Sequence, residues 1–232
     1  MKVFAISDLH LCASGKKPMD VFGPEWAGHP DKIAGNWRAC VGPDDLVLLA
    51  GDLSWAMTLD EARPDFGFIE ALPGTKYFIR GNHDYWYAGP SKVRAALGPT
   101  THTLRFDAVS VGGVAICGVR GWVAPGRPDF DPAEDERHWR REVARLELSL
   151  RALGGLEWDV AVAMFHLPPR DADGGTRLTE LISAAGVRHC VYGHLHGEAA
   201  AEAFEGEADG VCYRCVSADH IGFAPVLLFE HP

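Results

Sequence analysis

No apolar run in this 232-residue chain approaches the ~20 residues that a helical membrane span requires. No secretory leader is expected either. Met1-Lys2 leads straight into the short run Val3–Ile6, which stops at Asp8. The expected location is therefore cytoplasmic, with Cys12, Cys40, Cys117, Cys190, Cys212 and Cys215 as reduced thiols. Positive charge is scarce. Lys and Arg number 22 against 32 Asp and Glu, a formal net charge of −10, and no basic stripe interrupts that balance. A general nucleic-acid surface or an anionic membrane surface would need such a stripe, so both are excluded as expected partners. A small anionic ligand is not excluded, because bound dications would reverse the local field. Internal repeats and low-complexity tracts are also missing, which removes solenoid and disordered-tail readings.

What the chain has is apolar content. Hydrophobic residues make up 47%, ample for a sizeable core and compatible with a single α/β domain spanning 1–232. Five short runs stand out: Val3–Ile6, Leu46–Ala50, Tyr77–Ile79, Val160–Met164 and Cys190–Tyr192. Brief and apolar, they read as buried strands. Each passes directly into a polar motif. The motifs are Asp8-Leu9-His10, Gly51-Asp52, Gly81-Asn82-His83-Asp84, Phe165-His166 and Gly193-His194-Leu195-His196. Ligand sites of α/β sheets lie beyond the carboxyl ends of strands. Five strands would thus deliver two Asp, one Asn and four His to one edge, with His83 and Asp84 beside them. Such a set of O and N donors is sufficient for two metal ions. On an extended segment, residues i and i+2 point the same way, so Asp8 with His10, and His194 with His196, are each expected to grip one ion. The glycines before Asp52, Asn82 and His194 let backbone, metal and substrate approach closely.

The order Asp-x-His, Gly-Asp, Gly-Asn-His-Asp, His, Gly-His-x-His resembles the calcineurin-like metallophosphoesterase superfamily, from Asp8 to His196 and with no motif missing. The resemblance implies an α/β fold, a four-layer α-β-β-α sandwich of two mainly mixed β-sheets flanked by helices. It implies a dinuclear metal site in which Asp8, His10 and His196 hold one ion. Asn82, His166 and His194 hold the other, and Asp52 bridges them. His83 would be the catalytic histidine near the leaving group, with Asp84 orienting it. Gly51–Ala56, Gly118-Val119-Arg120-Gly121-Trp122 and the stretch around Arg141-Glu142 and Arg145-Leu146 are similar to a bacterial group of predicted phosphohydrolases within the superfamily.

The remaining segments frame this set. Leu11–Gly28, leaving directly from two candidate ligands, is either a substrate-covering loop or an ordinary surface connection. A helix is expected over His29–Val41, and Thr58-Leu59-Asp60-Glu61 is a capping box opening a second. Ser91–Leu97 reads as a short helix, and Gly112-Gly113 as the turn of a hairpin within Thr101–Cys117. The clearest helix covers Pro132–Leu153, with Trp139, Val143, Leu146, Leu150 and Leu153 on one face. Its Arg137, Arg140, Arg141 and Arg145, interleaved with acids, suggest a solvated, salt-bridged face. A helix over Thr179–Ala185 and strands near Glu198–Phe204, Val211–Val216 and Ala224–Phe229 complete the chain. Arg120, at another expected strand end, either forks a phosphate or makes a structural ion pair. Cys212 and Cys215, three apart on a strand, should face opposite ways as unremarkable thiols.

The expected activity is metal-dependent phosphohydrolysis of a small phosphate ester, with a phosphodiester preferred. A phosphomonoesterase and a non-catalytic metal-binding scaffold are the alternatives. The scaffold reading expects lost ligands, and none is lost. Mixed imidazole, carboxylate and amide donors suit two divalent or trivalent transition-metal ions, Mn first, with Fe, Zn, Co or Ni possible. His83 is expected to protonate the leaving alkoxide, with Asp84 fixing its tautomer and raising its pKa.

Overall fold

Strands buried on both faces need apolar residues at every position, and the central strands here have them. The computed structural model describes residues 1–170 and 174–232. One sheet contains β1 (Lys2–Ile6), β2 (Leu46–Leu49), β3 (Thr75–Phe78), β4 (Thr101–Thr103) and β11 (Val226–Glu230), in the order β11-β1-β2-β3-β4. The other contains β5 (Val109–Val111), β6 (Val114–Val119), β7 (Val160–Phe165), β8 (His189–Tyr192), β9 (Gly206–Ala208) and β10 (Val211–Cys215), in the order β5-β6-β7-β8-β10-β9. Central pairs are parallel, while β11, β5 and β9 run antiparallel to their neighbours, so both sheets are mixed.

Period-two alternation sorts the side chains into layers. Val3, Ala5, Leu46 and Leu48 of the first sheet meet Val114, Ile116, Val162, Met164 and Val191 of the second. Phe4, Ile6, Val47 and Leu49 face outward, against α1 (His29–Cys40) and α2 (Leu59–Glu70) through Ile33, Trp37, Phe66 and Ile69. On the far side, Ala115, Cys117, Ala163 and Phe165 receive α4 (Pro132–Leu153) and α5 (Arg177–Ala184) through Trp139, Leu146, Leu178 and Ile182. The result is the expected helix–sheet–sheet–helix sandwich. The short α3 (Pro90–Arg94) precedes β4. The capping box at Thr58 and Glu61 forms as its sequence requires, and Cys212 is exposed while Cys215 is buried.

The carboxyl-terminal third departs from the expected pattern. No strand forms over 198–204. Gly197–Glu202 is a 3-10 turn, as its Ala and Glu content favours. The segment read as a turn instead carries β9, paired with β10 through Asp209-Gly210. Both residues have positive φ, 54° and 77°, the signature of a tight hairpin turn that Asp-Gly makes readily. β11 then crosses to the first sheet and pairs with β1 instead of extending the second.

Candidate metal centre

The two sheets bring their parallel carboxyl ends to one rim. Asp8 and His10 follow β1, Asp52 follows β2, Asn82, His83 and Asp84 follow β3, His166 follows β7, and His194 and His196 follow β8. A backbone clasp joins the sheets there. Ser7 N donates to Val216 O at 2.8 Å, and Ala218 N donates to Ser7 O at 3.1 Å.

The candidate ligands converge. Asp8 Oδ1 lies 3.2 Å from His196 Nε2 and 3.8 Å from His10 Nε2. Asp52 Oδ2 lies 3.9 Å from His10 Nε2 and 3.3 Å from His166 Nε2. Asn82 Oδ1 lies 2.5 Å from His166 Nε2 and 3.0 Å from His194 Nδ1. Asp8, His10 and His196 form one group, and Asp8, Asp52 and His166 another, with donor atoms within 4.8 Å of one another in each.

Strand alternation is not what aims Asp8 and His10 together. Their φ values are 57° and 44°, left-handed rather than extended, and Asp52 (53°) and His194 (74°) share that conformation. Each such residue costs about 1–3 kcal/mol, which surrounding contacts must hold in place. Backbone strain therefore gathers on four of the seven candidate ligands. Two glycines are demanded by close approach. A Cβ on Gly81 would collide with Asp52 Oδ1, and one on Gly193 would collide with Asp8 Oδ2.

A surrounding layer of acceptors orients the imidazoles. His166 Nδ1 is 3.0 Å from Ala50 O, and His196 Nδ1 is 2.8 Å from Asp219 Oδ1. A proton on each Nδ1 leaves Nε2 free to bind a metal. Asp219 also accepts from Gly197 N at 3.0 Å. Sequence reasoning overlooked Asp219, although it follows β10 as the other motifs follow their strands. The neighbouring His220 instead faces Glu205, at 3.7 Å. Burial opposes charge on His166 and His196, but Asp52 lifts the first to about 9, and Asp219 with Asp8 lifts the second to about 10. Burial dominates at His10 and His194, bringing both to about 4. Metal uptake here displaces protons from imidazole.

Asp84 does not orient His83. Its carboxylate accepts five N–H groups: Asp52 N (3.0 Å), Leu53 N (2.9 Å), Ser54 N (3.3 Å), Gly81 N (2.8 Å) and Trp86 Nε1 (3.0 Å). It braces the Asp52 loop against the Gly81-Asn82 loop. Burial and the Asp52 charge push its pKa up to about 7, and the backbone donors oppose that rise. Nor is the His83 pKa raised. Burial lowers it, and its ring packs on Trp55 at 4.5 Å, with Nδ1 3.5 Å from the Tyr85 hydroxyl. Asp84→Asn would turn an NH2 group toward N–H donors and forfeit charged hydrogen bonds, a loss of at least about 2 kcal/mol. The expected result is a melting temperature lower by roughly 4–8 °C, with equal proportional losses on activated and unactivated esters. A melting temperature equal to wild type removes the bracing role.

A cavity of about 380 Å³ opens onto His10, Asp52, His83, His194, His196 and Asp219. The segment 11–28 folds into two 3-10 turns, Met19–Phe22 and Pro24–Trp26, and walls this cavity with Met19, Phe22, Glu25 and Trp26. Arg120 is not in this cavity. Its side chain lines a separate one, among other arginines.

The match to known proteins agrees with this geometry. The model for calcineurin-like phosphoesterases covers residues 1–198. The chain belongs to that family. Calcineurin-like phosphoesterases are metal-dependent hydrolases of phosphate esters, and membership implies a dinuclear divalent metal centre. Two carboxylates, an amide oxygen and four imidazoles, with Gly81 and Gly193 leaving space beside them, fit such a centre. Similar solved structures of the fold include a phosphopantetheinyl hydrolase (PptH) of Mycobacterium tuberculosis, at 19% identity over 100% of this chain and 98% of that one, TM-score 0.60. TT1561 of Thermus thermophilus is similar over 84% and 81% of the two chains, at 15% identity and TM-score 0.55. The Gene 66 protein of Mycobacterium phage L5 is 35% identical over 80 residues, and this match spans 37% of the phage protein. Among the described residues no helix is long and apolar enough to cross a membrane.

Proposed function

We propose that this chain hydrolyses a small phosphodiester at a dinuclear centre held by Asp8, His10, Asp52, Asn82, His166, His194 and His196. The observation that carries the reading is the position of Asp52. Its Oδ2 faces the Nε2 atoms of His10 and His166, one from each ligand group, while Oδ1 accepts from His83 N at 2.8 Å. That position suits a bridging carboxylate. The ligands come from both sheets, so the span 1–232 is read as one domain.

Two bound ions, Mn first and Fe, Zn, Co or Ni as alternatives, would neutralise the phosphoryl group and make water acidic enough to attack near neutral pH. The chain supplies the rest. His83 is anchored through its backbone to Asp52 and through its ring to Trp55, and it gives the leaving alkoxide its proton. Met19, Phe22, Trp26 and Trp55 offer an apolar wall to an organic substituent and exclude water from the reacting side. A second cavity of about 240 Å³ reaches Asn82 and His194 from another side, past Trp122, Val123 and Leu167. A phosphodiester carries two organic groups and has a place for each, whereas a monoester would leave one cavity unused. The likeness to a phosphopantetheinyl hydrolase supports a phosphate-bearing organic substrate. All six cysteines are free thiols, which suits a reducing cytoplasm.

The test is hydrolysis of bis-nitrophenyl phosphate against nitrophenyl phosphate, using metal-stripped protein with Mn restored. The expected result is Mn-dependent turnover with the diester preferred. Preference for the monoester overturns the diester reading. Failure with both esters across the five metals points to a narrow substrate or to the scaffold class.

A further inference from the structure

Beside the loops that carry Asn82 and His166 lies another cavity, of about 200 Å³, with five arginines in its walls. Arg80 follows β3, Arg105 follows β4, Arg120 follows β6, and Arg141 and Arg145 come from α4. Glu142 is the one acid among the lining residues. An excess of four positive charges thus collects in one place, in a chain whose net charge is −10. The interleaved charges of α4 predict a solvated, salt-bridged face. Arg140 conforms, paired with Glu136 at 2.5 Å, whereas Arg141 and Arg145 turn inward.

The protein compensates only one of these charges with a carboxylate. Among the described residues, Arg145 alone of the five meets a carboxylate, Glu142 Oε1 at 2.5 Å. The Nε atoms of Arg80, Arg120 and Arg141 are buried without a hydrogen-bond partner, as is Glu142 Oε2. Unmet donors of this kind destabilise a fold unless a ligand accepts from them. Aromatic faces hold the guanidiniums in position. Arg120 lies 4.5 Å over Trp122, Arg145 lies 4.4 Å over Phe106, and Arg105 lies 5.6 Å over Tyr87. Arg145 Nη1 is taken by Glu142 and Arg141 Nη2 meets His138 Nδ1 at 2.7 Å, while the unmet N–H groups of Arg80, Arg120 and Arg141 remain for the forked recognition of a tetrahedral oxyanion.

We infer that this cavity binds a phosphate-class oxyanion, at a site separate from the metal centre. It shares no lining residue with the cavity over the candidate ligands. The two sites are nevertheless tied through the backbone. Arg80 immediately precedes Gly81-Asn82, and Arg120 O accepts from His166 N at 3.0 Å and Leu167 N at 2.9 Å. An anion on Arg80 and Arg120 therefore steadies the loops that present Asn82 and His166.

Calorimetric titration with inorganic phosphate at constant ionic strength tests this. It is run on the metal-loaded protein and, to remove binding at the metal centre, on metal-stripped Asp52→Asn. A phosphate-binding event should persist in Asp52→Asn. Arg141→Gln should weaken it by about tenfold or more, the loss of one charged hydrogen bond. Glu142→Gln should tighten it, because a competing carboxylate is gone. That second variant carries the test if Arg141→Gln fails to fold. Phenyl phosphate distinguishes the sources of the anion. Displacement of inorganic phosphate by it marks the terminal phosphate of an organic molecule as the ligand, and failure to displace marks free phosphate; either supports the site. Absence of phosphate binding in Asp52→Asn, or affinity indifferent to both cavity variants, overturns it.

Discussion

Asp52→Asn is expected to lower kcat/KM on bis-nitrophenyl phosphate by about a thousandfold or more, a barrier increase of roughly 4 kcal/mol, and to reduce metal content below two ions per chain. The substitution is nearly isosteric. Asn tolerates the left-handed backbone that Asp52 adopts at φ 53°, and its amide oxygen can still accept from His83 N, as Asp52 Oδ1 does. What disappears is one negative charge between His10 and His166. Burial alone would hold His166 neutral, and the Asp52 carboxylate is the largest influence raising its pKa to about 9. The loss therefore falls first on the electrostatics of the centre. Metal analysis and steady-state kinetics on the same preparation read both consequences. Full turnover with two ions bound would remove Asp52 from the bridging position.

His83→Ala should leave metal content unchanged, because its imidazole is in neither ligand group. Hydrolysis of alkyl esters should fall by about 10²–10⁴, the usual contribution of a positioned proton donor. Nitrophenyl esters should lose much less, since nitrophenolate leaves without a proton. The sign of the pH dependence follows from the site. Burial lowers the His83 pKa from 6.5, so its protonated form is depleted as pH rises through that lowered value. Wild-type rates on alkyl esters should decline on that limb, and the Ala variant should lack the limb. Identical losses on both ester classes would contradict proton donation and leave His83 a charge-stabilising role.

The two braces of this site illustrate how differently residues can be read. His83 and Asp84 are adjacent in sequence, and adjacency suggests a catalytic pair. In the fold, Asp84 turns to five N–H donors of the neighbouring loops, while the His83 ring turns to Trp55 and the cavity. Backbone donors outcompete an imidazole because they are already fixed there and cost no side-chain ordering. Asp219 shows the opposite error. It stands 23 residues beyond His196, outside every motif, and the Ser7–Ser217 clasp between sheets brings it within 2.8 Å.

The sandwich and the residues at its rim were legible from local pattern. Apolar runs of two-sided burial require interior strands, and polar residues at five run ends have one crevice to enter. So was α4, whose 22 residues keep the expected bounds and bury Trp139, Leu146 and Leu153 of the expected face. Other features arise only when distant segments pack. Left-handed backbone at Asp8, His10, Asp52 and His194 sets the ligand directions. Sheet pairing sends β11 back to β1. The convergence of β3, β6 and α4 turns Arg120, Arg141 and Arg145 away from solvent into one shared cavity. The reason is range. Periodicity and turn chemistry act over a few residues and are written locally, whereas the partner of a charge is chosen by whichever distant element packs beside it.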